Sequence, residues 1–443
     1  MLVVVRLRLV GSSPSTRVLL EAGAALGCEV EAGVSEEGAR RSGDAVVVVD
    51  ADGAHRDAIG LACDLARVSQ VVVVGSGLET GAVARLFAAG CRDVVEAPLH
   101  KRELILRLAA VLQQKLRVTC IGGGSGLFAA LSAIKDVPRV LLTSVVTMSD
   151  DGGSSGRLRT SFGVLPPGDV RRSLVALSNA PEVMSFVMQY RFDVPGDGLA
   201  GHSLGNLLLA ALADKTGGMQ NAVKALGDVL NVQGIVKCVT ESSTTLVAET
   251  VDGQVVRGES AIDQCLERSG DVRLRRVWHE PAASASPDVV ASILAADVVL
   301  VGPGDLYTSV LASLLVGGVA EAVRETKAQV VYVCNLMTKP GETSGYDVAD
   351  HVRAVVEGLG GDVLDWVLAS GTSLEAEAVA GYAALGQHPV GGVTPEAVAR
   401  ATGARFVLAD VGDQAKLVRH DPLKLRAELV QILRAVRPSL AAE

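Results

Sequence analysis

Aromatic residues make up only 3% of this 443-residue chain, so its core must rest on Ala, Val and Leu packing and not on large rings. Positive charge is not in surplus either. The 41 Lys and Arg stand against 50 Asp and Glu, a formal net charge of −9, which speaks against a general nucleic-acid or membrane-surface role. The seven cysteines are odd in number, none has CxxC spacing, and several sit inside apolar runs. They read as reduced core residues and not as disulfides or zinc ligands. No apolar run is long enough to span a bilayer, and the apolar start carries Arg6 and Arg8 with no small-residue cleavage site behind it. The expectation is a cytoplasmic protein with no signal peptide. Glycine, at 48 residues, is abundant and suits many tight turns at strand ends.

A length of 443 residues allows two domains of roughly 100–200 residues each. Residues 1–115 alternate strand and helix patterns: MLVVVRLRLV, STRVLLEAGAAL, DAVVVVD, DAIGLACDLARV, VVVVGSG, GAVARLFAAG, DVVEAP and HKRELILRLAAVLQQ. This is the pattern of a small flavodoxin-like α/β domain. It resembles a response-regulator receiver domain, with Asp50 at the phosphoacceptor position and Ser76 after the fourth strand. However, Gly11-Ser12-Ser13 replaces the acidic pair that would hold magnesium, and Ala97 replaces the phosphate-binding lysine before Pro98. Without that electrostatic support the domain reads as a degenerate receiver whose role is docking or dimerisation, and Asp50 as a strand-end acid.

Residues 116–443 are organised around Val118–Asp169. An apolar strand breaks into Gly122-Gly123-Gly124-Ser125-Gly126 and then an apolar helix. Such a turn points backbone N–H groups at an anion. A second strand ends at Asp150-Asp151 and continues into Gly152, Gly153, Ser154, Ser155, Gly156 and Arg157, expected to be a ligand loop. Asp150 and Asp151 are candidates either for Mg²⁺ or for ribose hydroxyls. A PPGD turn carries Asp169 in front of a helix expected to begin near Val170, with Arg171 and Arg172 in its first turn. Arg157 reads as a phosphate clamp, or else as the partner of Asp169.

Further on, the segment Gly201–Asn206 supplies His202, either a structural helix cap or a phosphate donor or acid, and Asn206. Asp252-Gly253 marks a β-hairpin. Gly258-Glu259-Ser260 either presents a carboxylate at the crevice or is an exposed loop, and Glu259 is read as the exposed loop acid. A third strand opens onto Gly302-Pro303-Gly304-Asp305, with Tyr307 placed to stack on a base or shield the turn and Thr308 or Ser309 as N-cap or ligand hydroxyl, and a fourth ends on Asn335. In a doubly wound sheet these strand ends converge on one crevice. An oxidoreductase is the weakest reading. Leu127 stands where the third fingerprint glycine would fall, and no Tyr-x-x-x-Lys or Ser–His pair is evident.

The motifs IGGGSGL, MSDDGGSSGRLR, LPPGDVRRSLVALS, GHSLGNLLLAAL, RGES, VGPGDLYTS and CNLMTKPGETSGYDVADHV occur in order. In them, residues 117–440 resemble the YvcK-type gluconeogenesis factors, related to the CofD 2-phospho-lactate transferases. The resemblance implies a Rossmann-like, three-layer α/β domain with a mostly parallel sheet. It further implies a UDP-sugar ligand (UDP-N-acetylglucosamine), self-association, and a role in carbon use, cell-envelope synthesis and cell shape. It maps the ligand region onto Gly123, Gly124, Ser125, residues 150–157, Asn206 and residues 302–308. For the transferase branch it implies magnesium. The role of residues 1–115 is not implied by it; a regulatory protein partner is one expectation.

Overall fold

The computed structural model describes residues 6–40, 45–52, 57–180, 182–193, 198–269, 273–392, 394–413 and 418–438. Met1–Val5 of the expected first strand and Asp44 of the third lie outside the described residues. The chain forms two compact units. The first holds residues up to Arg117 together with Arg139–Leu141 and Ser286–Ala296, and the second holds the rest.

In the first unit five parallel strands lie in the order Glu29–Ala32, Arg6–Val10, Val46–Asp50, Gln70–Gly75, Asp93–Glu96. This is the flavodoxin-like 2-1-3-4-5 arrangement. The Val46–Asp50 run is buried on both faces, as a central parallel strand must be. Glu29–Ala32 and the short helix Glu36–Arg40 are additions to the elements expected from the sequence. Asp50 is buried. Its Oδ1 accepts from the Asp52 N–H, while its Oδ2 has no partner among the described residues. The ideal Cβ of Gly11 would stand 2.8 Å from the Asp50 carbonyl oxygen, so no acidic side chain fits there as it stands. Ser76 donates to Asp52 and not to Asp50. Incubation with acetyl phosphate and Mg²⁺ should therefore leave the intact mass unchanged. A stable gain of one phosphoryl group on Asp50 would refute this.

Residues 286–296 are far away in sequence yet belong to this unit, through the helix Pro287–Leu294. The fully buried Arg107 binds it. Arg107 donates to Asp288 at 2.6 Å, to both oxygens of Asp93 at 2.6 and 3.0 Å, to Glu103 at 3.3 Å and to the Val94 carbonyl at 2.8 Å.

The second unit is built on seven parallel strands in the order Arg405–Ala409, Trp366–Ser370, Gln329–Val333, Val298–Val301, Leu116–Gly122, Val140–Val146, Ile235–Cys238. The order reverses between Leu116–Gly122 and Val298–Val301, which are paired from Val118↔Val298 to Ile121↔Val301. Their outgoing glycine turns therefore leave side by side at the switch point. A three-stranded antiparallel sheet, Val255–Arg257, Thr245–Thr250 and Leu274–Glu280, stands apart from the main sheet. Its first turn is the expected hairpin, with Gly253 at φ +89°.

Two expectations need correction. The segment from Gly153 on is not a loop but the helix Gly153–Phe162, and the helix after the PPGD turn begins at Gly168. The helices Glu182–Gln189 and Met219–Val229 also went unread in the sequence.

Candidate functional site

The two turns at the switch point are locked together by close backbone approach. An ideal Cβ on Gly126 would meet the Pro303 carbonyl oxygen at 2.4 Å. One on Gly123 would meet Asp169 Oδ2 at 2.6 Å and Thr147 Cγ2 at 2.5 Å. Only glycine permits this contact of two backbones. The helix Gly124–Ile134 starts here, and its Gly124 N–H donates to Asp169.

Beside this turn lies a cavity of about 260 Å³, lined by the Gly124–Gly126 and Gly304 backbone, Arg172, Ser309 and four acids: Asp150, Asp169, Glu259 and Asp305. Burial and the Asp150 charge push the Asp169 carboxyl upward even though Arg172 donates to it at 2.8 Å. Burial, then Asp150 and Asp169, raise Glu259 well above the usual carboxylate range. Its Oε2 is sealed from solvent without a partner, so Glu259 is not the exposed acid its loop suggested. Arg172 pairs with Asp169 and Lys339 with Asp305, which leaves the carboxyls of Asp150, Asp169 and Glu259 crowded around one guanidinium and makes this cavity suited to a cation. Among the described residues no three His, Cys, Asp or Glu side chains form a ready-made metal cage.

Asp150 and Asp151 do not act as a pair. Asp150 accepts from the Gly152 N–H at 3.0 Å and faces the acidic cavity with Asp169. Asp151 accepts from the Ser260 N–H at 2.8 Å and lines a different, wider groove.

That groove, about 1100 Å³, is basic. Arg157 donates to the Ala200 carbonyl at 2.5 Å, Arg159 to the Thr244 carbonyl at 2.7 Å, and Arg191 to the Gly201 carbonyl at 3.0 Å. Among the described residues their hydrogen-bond partners are carbonyl and hydroxyl oxygens and no carboxylate, and all three line the groove together with Asp151. Arg157 does not pair with Asp169, as the alternative reading had it. Gly152, Gly153 and Gly156 also line this space, with Ser154 and His202. Ser155 is buried behind it, close to Gly168.

Arg171 is buried, and burial and the neighbouring Arg172 and Arg191 push it down to about 10. It lines neither the groove nor the acidic cavity. It donates to Asn206 Oδ1 at 2.9 Å, Asn206 Nδ2 donates to Ser154 Oγ at 3.0 Å, and Ser154 Oγ lies 2.9 Å from His202 Nδ1. A Ser–His pair is thus present after all, its members 48 positions apart and invisible as a motif. Burial, then the Arg157 charge, keep His202 below its ordinary value and hence neutral at pH 7.

At the second turn, Gly302 (φ +74°) donates to the Ile121 carbonyl at 2.9 Å. The helix after it is wide-turned, π-helical over Leu306–Leu311, a geometry that often marks functional sites. Here the sequence candidates are turn-holders. Tyr307 is buried with its hydroxyl 2.8 Å from that of Tyr346, so it offers no open stacking face. The Thr308 N–H donates to Glu342 at 2.9 Å, and Asn335 Oδ1 accepts from the Gly304 N–H at 3.4 Å. Lys339, unremarked in the sequence, ties Asp305 and Asp263 at 2.8 Å each. Arg159, Arg191 and Lys339 are site residues that sequence reasoning missed, and none of them carried a local signal; Asp305 lies inside the expected ligand region, and Ser309 is the candidate N-cap or ligand hydroxyl beside Thr308.

The model of the family described as 2-phospho-L-lactate transferase CofD matches residues 118–411. The gluconeogenesis factor of Bacillus subtilis is 39% identical over 323 residues, 72% of this chain and 99% of the relative. That of Halalkalibacterium halodurans is 39% identical over 324 residues, 72% of this chain and 97% of the relative. A crystal structure of a Bacillus halodurans protein superposes with a TM-score of 0.67 at 38% identity, covering 71% of this chain and all of that one. This span of similarity, with the family model matching residues 118–411, places the chain in the CofD family, among its gluconeogenesis factors.

Proposed function

We propose that this gluconeogenesis factor binds a UDP-sugar, with UDP-N-acetylglucosamine as the ligand, and that binding regulates carbon use and cell-envelope synthesis in the cytoplasm. The observation that supports it is the divided crevice: an arginine-lined groove meets an acid-lined cavity at Asp150–Asp151 and Glu259–Ser260. The groove suits a diphosphate and the sugar hydroxyls. The cavity suits a divalent cation bridging to the phosphates. Magnesium commonly takes one or two carboxylates plus phosphate oxygens, so the lack of a three-ligand cage does not count against it. Asp150 and Asp169 would hold the ion, not Asp150 and Asp151; when bound, it neutralises phosphate charge. We propose Mg²⁺-dependent binding on this ground.

No helix among the described residues is long and apolar enough to cross a membrane. Self-association, and a regulatory protein partner for the first unit, belong to the same proposal.

A second reading is favoured by the same cavity and the family's name: transfer of a phosphate-containing group from a nucleotide donor to an acceptor hydroxyl. Turnover of a UDP-sugar in the presence of Mg²⁺ and candidate acceptors would support it; binding without turnover supports the regulator.

Arg157 tests the groove. A guanidinium matches phosphate bidentately and lysine does not. Arg157→Lys should weaken UDP-N-acetylglucosamine binding by about 1–3 kcal/mol while hardly moving the Tm of the free protein. Lower stability with unchanged affinity would instead make Arg157 a strut for Ala200.

A further inference from the structure

Four buried polar residues run in one direction through the second unit. Arg171 Nε can only donate, so the atom of Asn206 it meets is Oδ1 and the amide orientation is fixed. Asn206 Nδ2 then donates to Ser154 Oγ. The Ser154 hydroxyl, supplied on that side, has its own proton left, and its other neighbour within reach is His202 Nδ1. Were Nδ1 to carry the proton instead, the Ser154 hydroxyl would face two donors and its proton would have no protein acceptor among the described residues, at a cost of about 1–3 kcal/mol. The direction is therefore set by a cation that cannot act as an acceptor. His202 Nε2 has no partner among the described residues and is not among the buried unpartnered atoms. His202 itself lines the basic groove.

We propose that the chain Arg171→Asn206→Ser154→His202 locks His202 as the Nε2–H tautomer, and that this N–H is the groove's neutral donor to an oxygen of the bound sugar or its acyl substituent. This rests on the UDP-sugar reading above. Arg171, Asn206 and Ser154 are positioning residues; His202 touches the ligand. Three arginines already supply charge there, and a neutral donor adds a directional contact that a hydroxyl or amide oxygen can meet but that charge alone does not select. It also leaves Nε2 unable to take a proton, so His202 does not serve as a base toward the ligand.

Two measurements on the full chain test this. Imidazole ¹⁵N NMR without ligand at pH 7 should show His202 neutral with Nδ1 unprotonated and Nε2 protonated. Ser154→Ala and Asn206→Leu should each turn that into a tautomer mixture. An Nδ1–H or doubly protonated His202 in the wild type overturns the lock. Calorimetry with UDP-N-acetylglucosamine should then show about ten-fold or greater loss in His202→Phe and rescue to within about three-fold in His202→Gln, whose amide N–H lies near the Nε2 position. Equal affinity in wild type and His202→Phe overturns the contact. If the wild type does not bind the probe at all, the UDP-sugar reading falls, and the contact with it, while the NMR result still decides the tautomer lock.

Discussion

Arg107→Met will lower the stability of the first unit by about 3–5 kcal/mol, the range expected when one partner of a buried ion network is removed. The substitution keeps most of the volume but removes the one guanidinium that Asp93, Glu103 and Asp288 share, leaving Arg117 on Asp93. Hydrogen exchange at the Val46–Asp50 amides reads this directly, because that strand is the centre of the unit's sheet. Unchanged protection would mean that the carboxylates find water or protons at little cost. The network also sets a pH dependence. Burial alone would raise the Asp93 carboxyl, but Arg107 and Arg117 overcome it and hold the group below its ordinary value. A depressed carboxylate contributes stability that is present above its unfolded pKa and is lost as pH falls through the lower, folded one. Protection should therefore decline on the acid side, and less steeply in Arg107→Met.

The second large effect concerns Gly126. Gly126→Ala places a methyl group 2.4 Å from a backbone oxygen, so the two switch-point turns must part. A loss of about 1–3 kcal/mol in stability follows from overpacking, and UDP-N-acetylglucosamine binding should fall below detection. Gly124→Ala is the control. Gly124 has φ +68° but nothing within 4 Å of its ideal Cβ, so the change costs only backbone strain, about 1–2 kcal/mol, and leaves the turns in contact. If both variants bind normally, the turn is structural only.

The parts of this molecule legible in the sequence were those with local causes. Val46–Asp50 is four valines before an acid, and a run apolar on both faces has few alternatives to a central parallel strand. The glycine turns after Ile121 and Val301 announced themselves because no other residue tolerates such backbone approach. What failed had distant causes. Glu29–Ala32 is a mostly exposed edge strand with two acids, carrying no apolar signal to read. The helix Gly153–Phe162 starts with glycines and serines of poor helix propensity. It is held by tertiary fit instead: a Cβ on Gly156 would lie 1.9 Å from the Asp151 carbonyl oxygen. Tyr307 and Thr308 lay in a polar glycine-rich turn, yet Tyr346 and Glu342, more than thirty residues away, hold them inward. Glu259 looked exposed because nothing near it in sequence shows that Asp150 and Asp169 will enclose it.

The acidic cavity yields the sharpest consequence. Glu259 and Asp169 hold their protons more tightly folded than unfolded, so charging them as pH rises works against the fold. On the proposed reading, a divalent cation held by Asp150 and Asp169 would relieve that repulsion and supply charge for the phosphates. The most direct measurement is calorimetric titration of the intact protein with UDP-N-acetylglucosamine at pH 7.5, with Mg²⁺ and with EDTA, on wild type and Asp150→Asn. The account predicts binding in Mg²⁺, at least ten-fold weaker binding in EDTA, and an Asp150→Asn protein that binds weakly and equally in both. Wild-type affinity that is the same with and without Mg²⁺ would contradict it.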